Sequence, residues 1–155
     1  MQAQPAKVPR YLSLFFVSAY LFGFGVFLVR FFSQTARPEY GIGILAVSLT
    51  GLVLGAVTLS FFENFLQRQR PALLFWLPFM LLFVSALSFQ GLSLIRFNPH
   101  LLLHEGLWTG QLLNLGGCVL ALLPVFFLAG LYIGLSFLDL SDRVAEVLTC
   151  HLLGA

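Results

Sequence analysis

The sequence predicts an all-α membrane protein with four transmembrane helices and a short C-terminal helix, and three observations carry this prediction. Hydrophobic residues make up 59% of the 155 residues and charged residues only 9%, whereas about 25% of the residues of a soluble protein are charged. Four apolar segments are each long enough to cross a bilayer as a helix, which takes about 20 residues. The few charged side chains lie in loops and at segment ends. This composition excludes a soluble enzyme, a nucleic-acid-binding protein and a disordered tail.

The predicted transmembrane segments span residues 11–32, 40–62, 72–95 and 111–138, after an N-terminal segment of residues 1–10 on the cytoplasmic side. Together they form a four-helix domain over residues 11–140. Continuous apolar runs favour helices, because barrel strands alternate apolar and polar residues over short segments. The first segment follows Lys7 and Arg10 as a signal peptide would, but its apolar run exceeds the usual core of about 7–15 residues, so we expect it to be retained. The fourth segment is longer than a bilayer requires and is either tilted or extends beyond the lipid.

Basic residues predict the orientation of the chain in the membrane. Five lie on one side and three on the other: Lys7, Arg10, Arg68, Arg70 and Arg143 against Arg30, Arg37 and Arg96. Because cytoplasmic loops are enriched in Lys and Arg, we expect both termini in the cytoplasm. We expect the protein to be a multi-pass protein of a bacterial inner (cytoplasmic) membrane. Residues 63–71 then form a tight cytoplasmic loop, with Pro71 in the first turn of the third helix.

Residues 98–108 predict a segment that lies on the outer membrane surface, because turn residues precede a leucine run and Trp108. His100 and His104 are four residues apart and would share one helix face. They either form a metal or haem site or are two amphipathic residues at the interface. Haem-binding helices usually carry their histidines inside the membrane spans, which favours the second interpretation, and no metal ligand is predicted.

Residues 141–155 predict a further helix, with Asp139 and Ser141 as candidate N-caps. Val144, Val147 and Leu148 begin an apolar repeat at helical spacing. The segment is either a short amphipathic helix or an incomplete fifth membrane helix, because no polar residue marks an end at Ala155.

Three stretches of sequence resemble a known family. They are FGVFLVRFF at residues 24–32, AVSLTGLVLGA at residues 46–56, and LPVFFLAGL at residues 123–131 followed by residues 143–155. They are similar to an aromatic-x-Arg-Leu-Leu helix end, a Gly-Leu-x-Leu-Gly-Ser helix and a Pro-x-x-x-Met-Gly helix of the spermidine synthase-like integral membrane proteins. The N-terminal membrane part of these polyamine aminopropyltransferase-like proteins is loosely like half a major facilitator transporter. The glycine-rich nucleotide loop and the amine-binding acids of the family's catalytic domain are missing from this sequence, so the resemblance does not imply aminopropyl transfer here.

The candidate site residues are two pairs of glycines in the second and fourth transmembrane segments. Gly51 and Gly55, and likewise Gly130 and Gly134, place two small residues on one helix face. Such a face lets another helix approach closely, which is a main source of helix association in lipid. The glycines therefore serve either helix packing within the chain or an interface with a partner subunit. No catalytic or cofactor-binding residue is predicted, although the 18 phenylalanines leave a bound lipid, quinone or pigment as an alternative to simple packing.

These observations predict a non-catalytic structural or accessory subunit, with no enzyme activity of its own. It would pack against membrane lipids and other integral membrane subunits of a larger complex, such as a respiratory or photosynthetic one, and would not bind nucleic acid. One alternative is the membrane anchor of a polyamine synthase-like enzyme that lacks its catalytic domain. The other is a half-transporter, against which the lack of an ionisable residue in the middle of a span argues.

Overall fold

The structure, a computed structural model, describes residues 8–35, 38–95, 97–98, 101 and 106–155. Its α-helices are α1 (Val8–Thr35), α2 (Pro38–Phe61), α3 (Glu63–Arg68), α4 (Arg70–Leu94), α5 (Trp108–Asp139) and α6 (Val144–Gly154). A 3-10 turn at Ser141–Arg143 joins α5 to α6. No strand occurs among the described residues, and the all-α prediction is confirmed.

Four helices are long and apolar enough to cross a membrane, over Pro9–Gln34, Gly41–Phe61, Arg70–Leu94 and Trp108–Asp139. They coincide with the four predicted segments, and α6 is the additional short C-terminal helix, so the predicted fold class is confirmed. This fold is that of a multi-pass membrane protein. The 32 residues of α5 give a helix about 48 Å long, which exceeds the hydrocarbon thickness of roughly 30 Å.

The most buried of the spanning helices is α5. Half of the residues in its most apolar 18-residue stretch are buried, against 22% in the corresponding stretch of each of α1, α2 and α4. It packs along α2 on one side and α4 on the other, while α1 packs on α2 and α6. Leu122, Val125 and Ala129 of α5 are fully buried in the resulting core. The spanning helices therefore follow one another around the bundle in the order α1, α2, α5, α4.

The contact between α1 and α4, which closes this ring, is the loosest. It rests on side chains rather than on close backbone packing. Tyr20 and Ser85 share a hydrogen bond through their hydroxyl groups, and the rings of Phe27 and Phe89 lie 5.8 Å apart. We call this contact the α1–α4 seam.

The predicted tight loop at residues 63–71 contains the short helix α3. One local prediction differs from the structure. Asp139 and Ser141 are not N-caps, because Leu140 and Arg143 occupy the cap positions of the 3-10 turn and of α6. The carboxylate of Asp139 instead contacts the guanidinium of Arg10. His100 and His104 lie outside the described residues, so the surface segment at residues 98–108 stays a prediction.

Candidate functional site

The predicted glycines form the contact between α2 and α5 inside this chain. A Cβ atom added at Gly51 would lie 2.5 Å from the Cβ of Phe126, and one added at Gly55 would lie 2.5 Å from the carbonyl oxygen of Phe127. A Cβ at Gly130 would collide with the carbonyl oxygen of Leu52. The two helices therefore approach through backbone atoms, which only glycine permits. The sequence left packing within the chain and an interface with a partner as alternatives. At Gly51, Gly55 and Gly130 the structure shows helix packing within the chain.

Gly134 lies at the edge of the same contact and is less constrained. A Cβ atom there would meet a methyl group of Leu59 at 3.2 Å, and a flexible side chain can move aside. The four glycines thus form one graded contact, tight at Gly55 and Gly130 and looser at Gly134.

A second close contact, which the sequence pattern did not single out, joins α6 to α1. A Cβ atom added at Gly154 would lie 2.5 Å from the carbonyl oxygen of Phe15 and 2.9 Å from the Cβ of Ser18. The hydroxyl of Ser18 donates to the carbonyl oxygen of Leu14 at 2.8 Å and lies 2.7 Å from Nδ1 of His151. A proton on Nδ1 satisfies both bonds, since the histidine then donates to the serine oxygen. Helix α6 is thereby fixed against the first half of α1.

Beyond α6, the same face of α1 is uncovered. Ser18, Phe22, Gly25 and Val29 follow one another at helical spacing and share one face. Past Ser18, this face lines a groove of about 660 Å³ between α1 and α2, with Arg30 at its far end. We call it the α1–α2 groove. Among the described residues, no atom other than the adjoining backbone of α1 lies within 4 Å of the position that a Cβ of Gly25 would take, so the groove is open there.

At one end of the bundle, charged side chains from four helices lie close together. Asp139 at the end of α5 pairs with Arg10 of α1, and Nη1 of Arg70 on α4 lies 3.6 Å from its other carboxylate oxygen. On α6, Glu146 accepts a hydrogen bond from Tyr11 at 2.9 Å. Glu146 also lies 3.4 Å from Arg143 and raises the pKa of that guanidinium by its negative charge. We call this end of the bundle, which also carries α3, the basic end.

The charges at the basic end are unevenly matched. One carboxylate, that of Asp139, serves two guanidinium groups. Nε of Arg70 is buried and has no hydrogen-bond partner within the part of the chain that the structure describes. A buried donor of this kind requires a partner such as a water molecule or a ligand atom. Sequence reasoning missed this cluster because it assigned Asp139 to a helix cap. The available signal was that Asp139, Arg10 and Arg70 all border spans on the same predicted side.

A cavity of about 360 Å³ lies beside this cluster, between α1, α4 and α5. Arg10 and Asp139 line its mouth, and Ser13 and Tyr132 line its interior, where their hydroxyl oxygens are 2.6 Å apart. Among residues 8–35, 38–95, 97–98, 101 and 106–155, no three His, Cys, Asp or Glu side chains are grouped closely enough to hold a metal ion. The chemistry available in the cavity is hydrogen bonding and the binding of a negative charge.

No family model, curated protein or solved structure matches the chain. The resemblance to the spermidine synthase-like membrane proteins therefore stays a prediction.

Proposed function

We propose that this chain is a non-catalytic accessory subunit of a larger membrane complex, and that a transmembrane helix of another integral membrane protein packs into the α1–α2 groove. The observation that carries the proposal is the divided face of α1. One half of that face is covered by α6 and the other half is open.

Helix association in lipid depends on close packing, because lipid tails solvate apolar side chains as well as protein does. Within the chain, the contacts of α2 with α5 and of α1 with α6 each use a glycine, at Gly55 and Gly154. Gly25 lies on the open part of the α1 face, and no other described helix comes within 4 Å of its Cβ position. From Phe22 to Arg30 the open face extends over about 12 Å, which is enough for roughly two turns of a partner helix.

The proposed orientation places the basic end in the cytoplasm of a bacterium, with the chain in the inner membrane. Arg10, Arg70 and Arg143 lie at that end, and cytoplasmic segments are enriched in such residues. The α1–α2 groove then extends from the middle of the membrane towards the outer surface, where Arg30 lies.

Purification in a mild detergent tests the proposal. We expect a second membrane protein to co-purify with the tagged chain and to be lost when Gly25→Leu fills the groove. The matched control is Gly23→Leu on the same helix, since it adds the same side chain on a different face. In the part of the chain that the structure describes, only the adjoining backbone of α1 lies within 4 Å of the Cβ position of either glycine, so we expect both variants to fold. A stable monomer without a co-purifying protein, or equal loss in both variants, would overturn the proposal.

A further inference from the structure

A crevice follows the α1–α4 seam from the basic end into the membrane. It consists of three successive cavities of about 360, 380 and 330 Å³. Ser13 and Pro78 line both the first and the second cavity, and Tyr20 and Leu82 line both the second and the third. The shared side chains place the cavities one after another along α1. The crevice is thus long and narrow, on a different side of α1 from the α1–α2 groove.

The walls of the crevice are apolar. Phe79 lines the first cavity and Phe16 the second, and both rings are more than half exposed. The hydroxyl groups that reach the crevice already have partners, as in the pairs Ser13–Tyr132 and Tyr20–Ser85. An apolar chain therefore fits the walls without leaving a polar group unsatisfied.

The mouth of the crevice favours a negative charge. Arg10 and Arg70 together carry two positive charges against the single carboxylate of Asp139. The side chain of Arg10 is 51% exposed, so its guanidinium has donors free of the ion pair. Arginine binds phosphate oxygens through its planar array of N–H groups. Arg10 lines the first cavity, whereas Arg70 does not and adds positive charge beside Asp139.

The length of the crevice from Arg10 to Tyr20 matches the thickness of one leaflet of a bilayer. Arg10 and Tyr20 are ten residues apart on α1, or about 15 Å along the helix axis. Half of a hydrocarbon core of roughly 30 Å is the same length. A phospholipid held at the mouth by its phosphate would therefore extend an acyl chain along the first two cavities to the middle of the membrane.

From this combination of charge and shape we propose that the α1–α4 seam binds one anionic phospholipid of the leaflet at the basic end. Its phosphate contacts Arg10, Arg70 adds positive charge nearby, and one acyl chain lies between α1 and α4. This site is independent of the α1–α2 groove, so the failure of either proposal leaves the other intact.

Native mass spectrometry of the delipidated protein tests the site, by titration with phosphatidylglycerol and, separately, with the zwitterionic phosphatidylcholine. We expect one phosphatidylglycerol per chain, bound at least about fivefold more tightly than phosphatidylcholine. Arg10→Gln should weaken this binding by about fivefold, and Arg10→Lys should retain most of it. Arg68→Gln is the matched control, because Arg68 is an exposed arginine at the same end and does not line the crevice. Ser13→Phe should block the acyl chain and abolish one-to-one binding, with folding checked by circular dichroism.

Four outcomes would overturn the proposal. Equal binding of both lipids, or equal weakening by Arg10→Gln and Arg68→Gln, would show unspecific association with lipid. Displacement of phosphatidylglycerol by millimolar inorganic phosphate would show that the arginines bind the phosphate group alone. A co-purifying protein chain that protects Ser13→Cys from alkylation, in place of lipid, would show that a helix occupies the seam.

Discussion

At the scale of single residues, backbone-to-backbone contact makes certain glycines irreplaceable. Gly55 faces the carbonyl oxygen of Phe127 and the amide nitrogen of Leu131, at 2.5 and 2.7 Å from the position of an added Cβ atom. Backbone atoms of a packed helix cannot move aside as a side chain can. A larger residue at Gly55 must therefore push the two helices apart, and this separation determines how much free energy of unfolding is lost.

We expect Gly55→Leu to lower the free energy of unfolding by about 3 kcal/mol or more, at the upper end of the usual cost of overpacking. Gly43→Leu is the control on the same helix, since nothing lies within 4 Å of its Cβ position, and it should change stability by less than about 0.5 kcal/mol. Unfolding by SDS in mixed micelles, followed by circular dichroism, measures both. Similar stabilities for the two variants would contradict the packing described for α2 and α5.

The glycine pairs could be predicted from the sequence because two small residues four apart are a local pattern. Which surface they face is not local information. Gly51 and Gly130 meet α5 and α2 respectively within the chain, but a partner's helix would select the same residues. The sequence alone therefore left both alternatives open.

At the scale of the elements, α6 is the helix whose position the sequence left undetermined. Its apolar repeat predicted a helix, but the same repeat suits a helix on a membrane surface and one that enters the membrane. The structure packs it on α1 through Gly154 and the Ser18–His151 hydrogen bond. Contacts of this kind join residues more than 130 positions apart in the chain. A pattern of neighbouring residues therefore cannot predict them.

We expect Gly154→Leu to loosen α6 from α1 and to increase the reactivity of Cys150, which is half-buried on α6. An overpacking cost of about 1–3 kcal/mol corresponds to an increase of at least about fivefold in the fraction of molecules in which α6 has detached from α1. Alkylation by a small maleimide in detergent measures this rate. Cys118 is buried between other helices and should stay unreactive in the same sample.

Thr149→Leu serves as the control for α6. Thr149 is exposed and donates a hydrogen bond to the carbonyl oxygen of Ala145 in its own helix, so its replacement leaves the contact with α1 unchanged. An equal rise in Cys150 alkylation in both variants would contradict the role of Gly154.

At the scale of the whole molecule, the number of spans follows from the sequence but their arrangement does not. Hydropathy is a sum over neighbouring residues, so each span could be located from its own composition. The spanning helices are apolar on every side, because lipid and protein core favour the same side chains. No polar face therefore indicates which helix is the most buried, and the position of α5 between α2 and α4 appears only in the structure.

The arrangement fixes which loops share a side of the membrane, and this gives a test of orientation. Arg68 on α3 belongs to the basic end, whereas Leu107 precedes α5 at the opposite end. With both native cysteines replaced by alanine, we expect a membrane-impermeant maleimide to label Arg68→Cys only in inside-out vesicles. Leu107→Cys should be labelled only in right-side-out vesicles, because the proposed orientation has the basic end on the cytoplasmic side. The reverse pattern would overturn the orientation, and labelling of both positions from the same side would contradict the four-span fold itself.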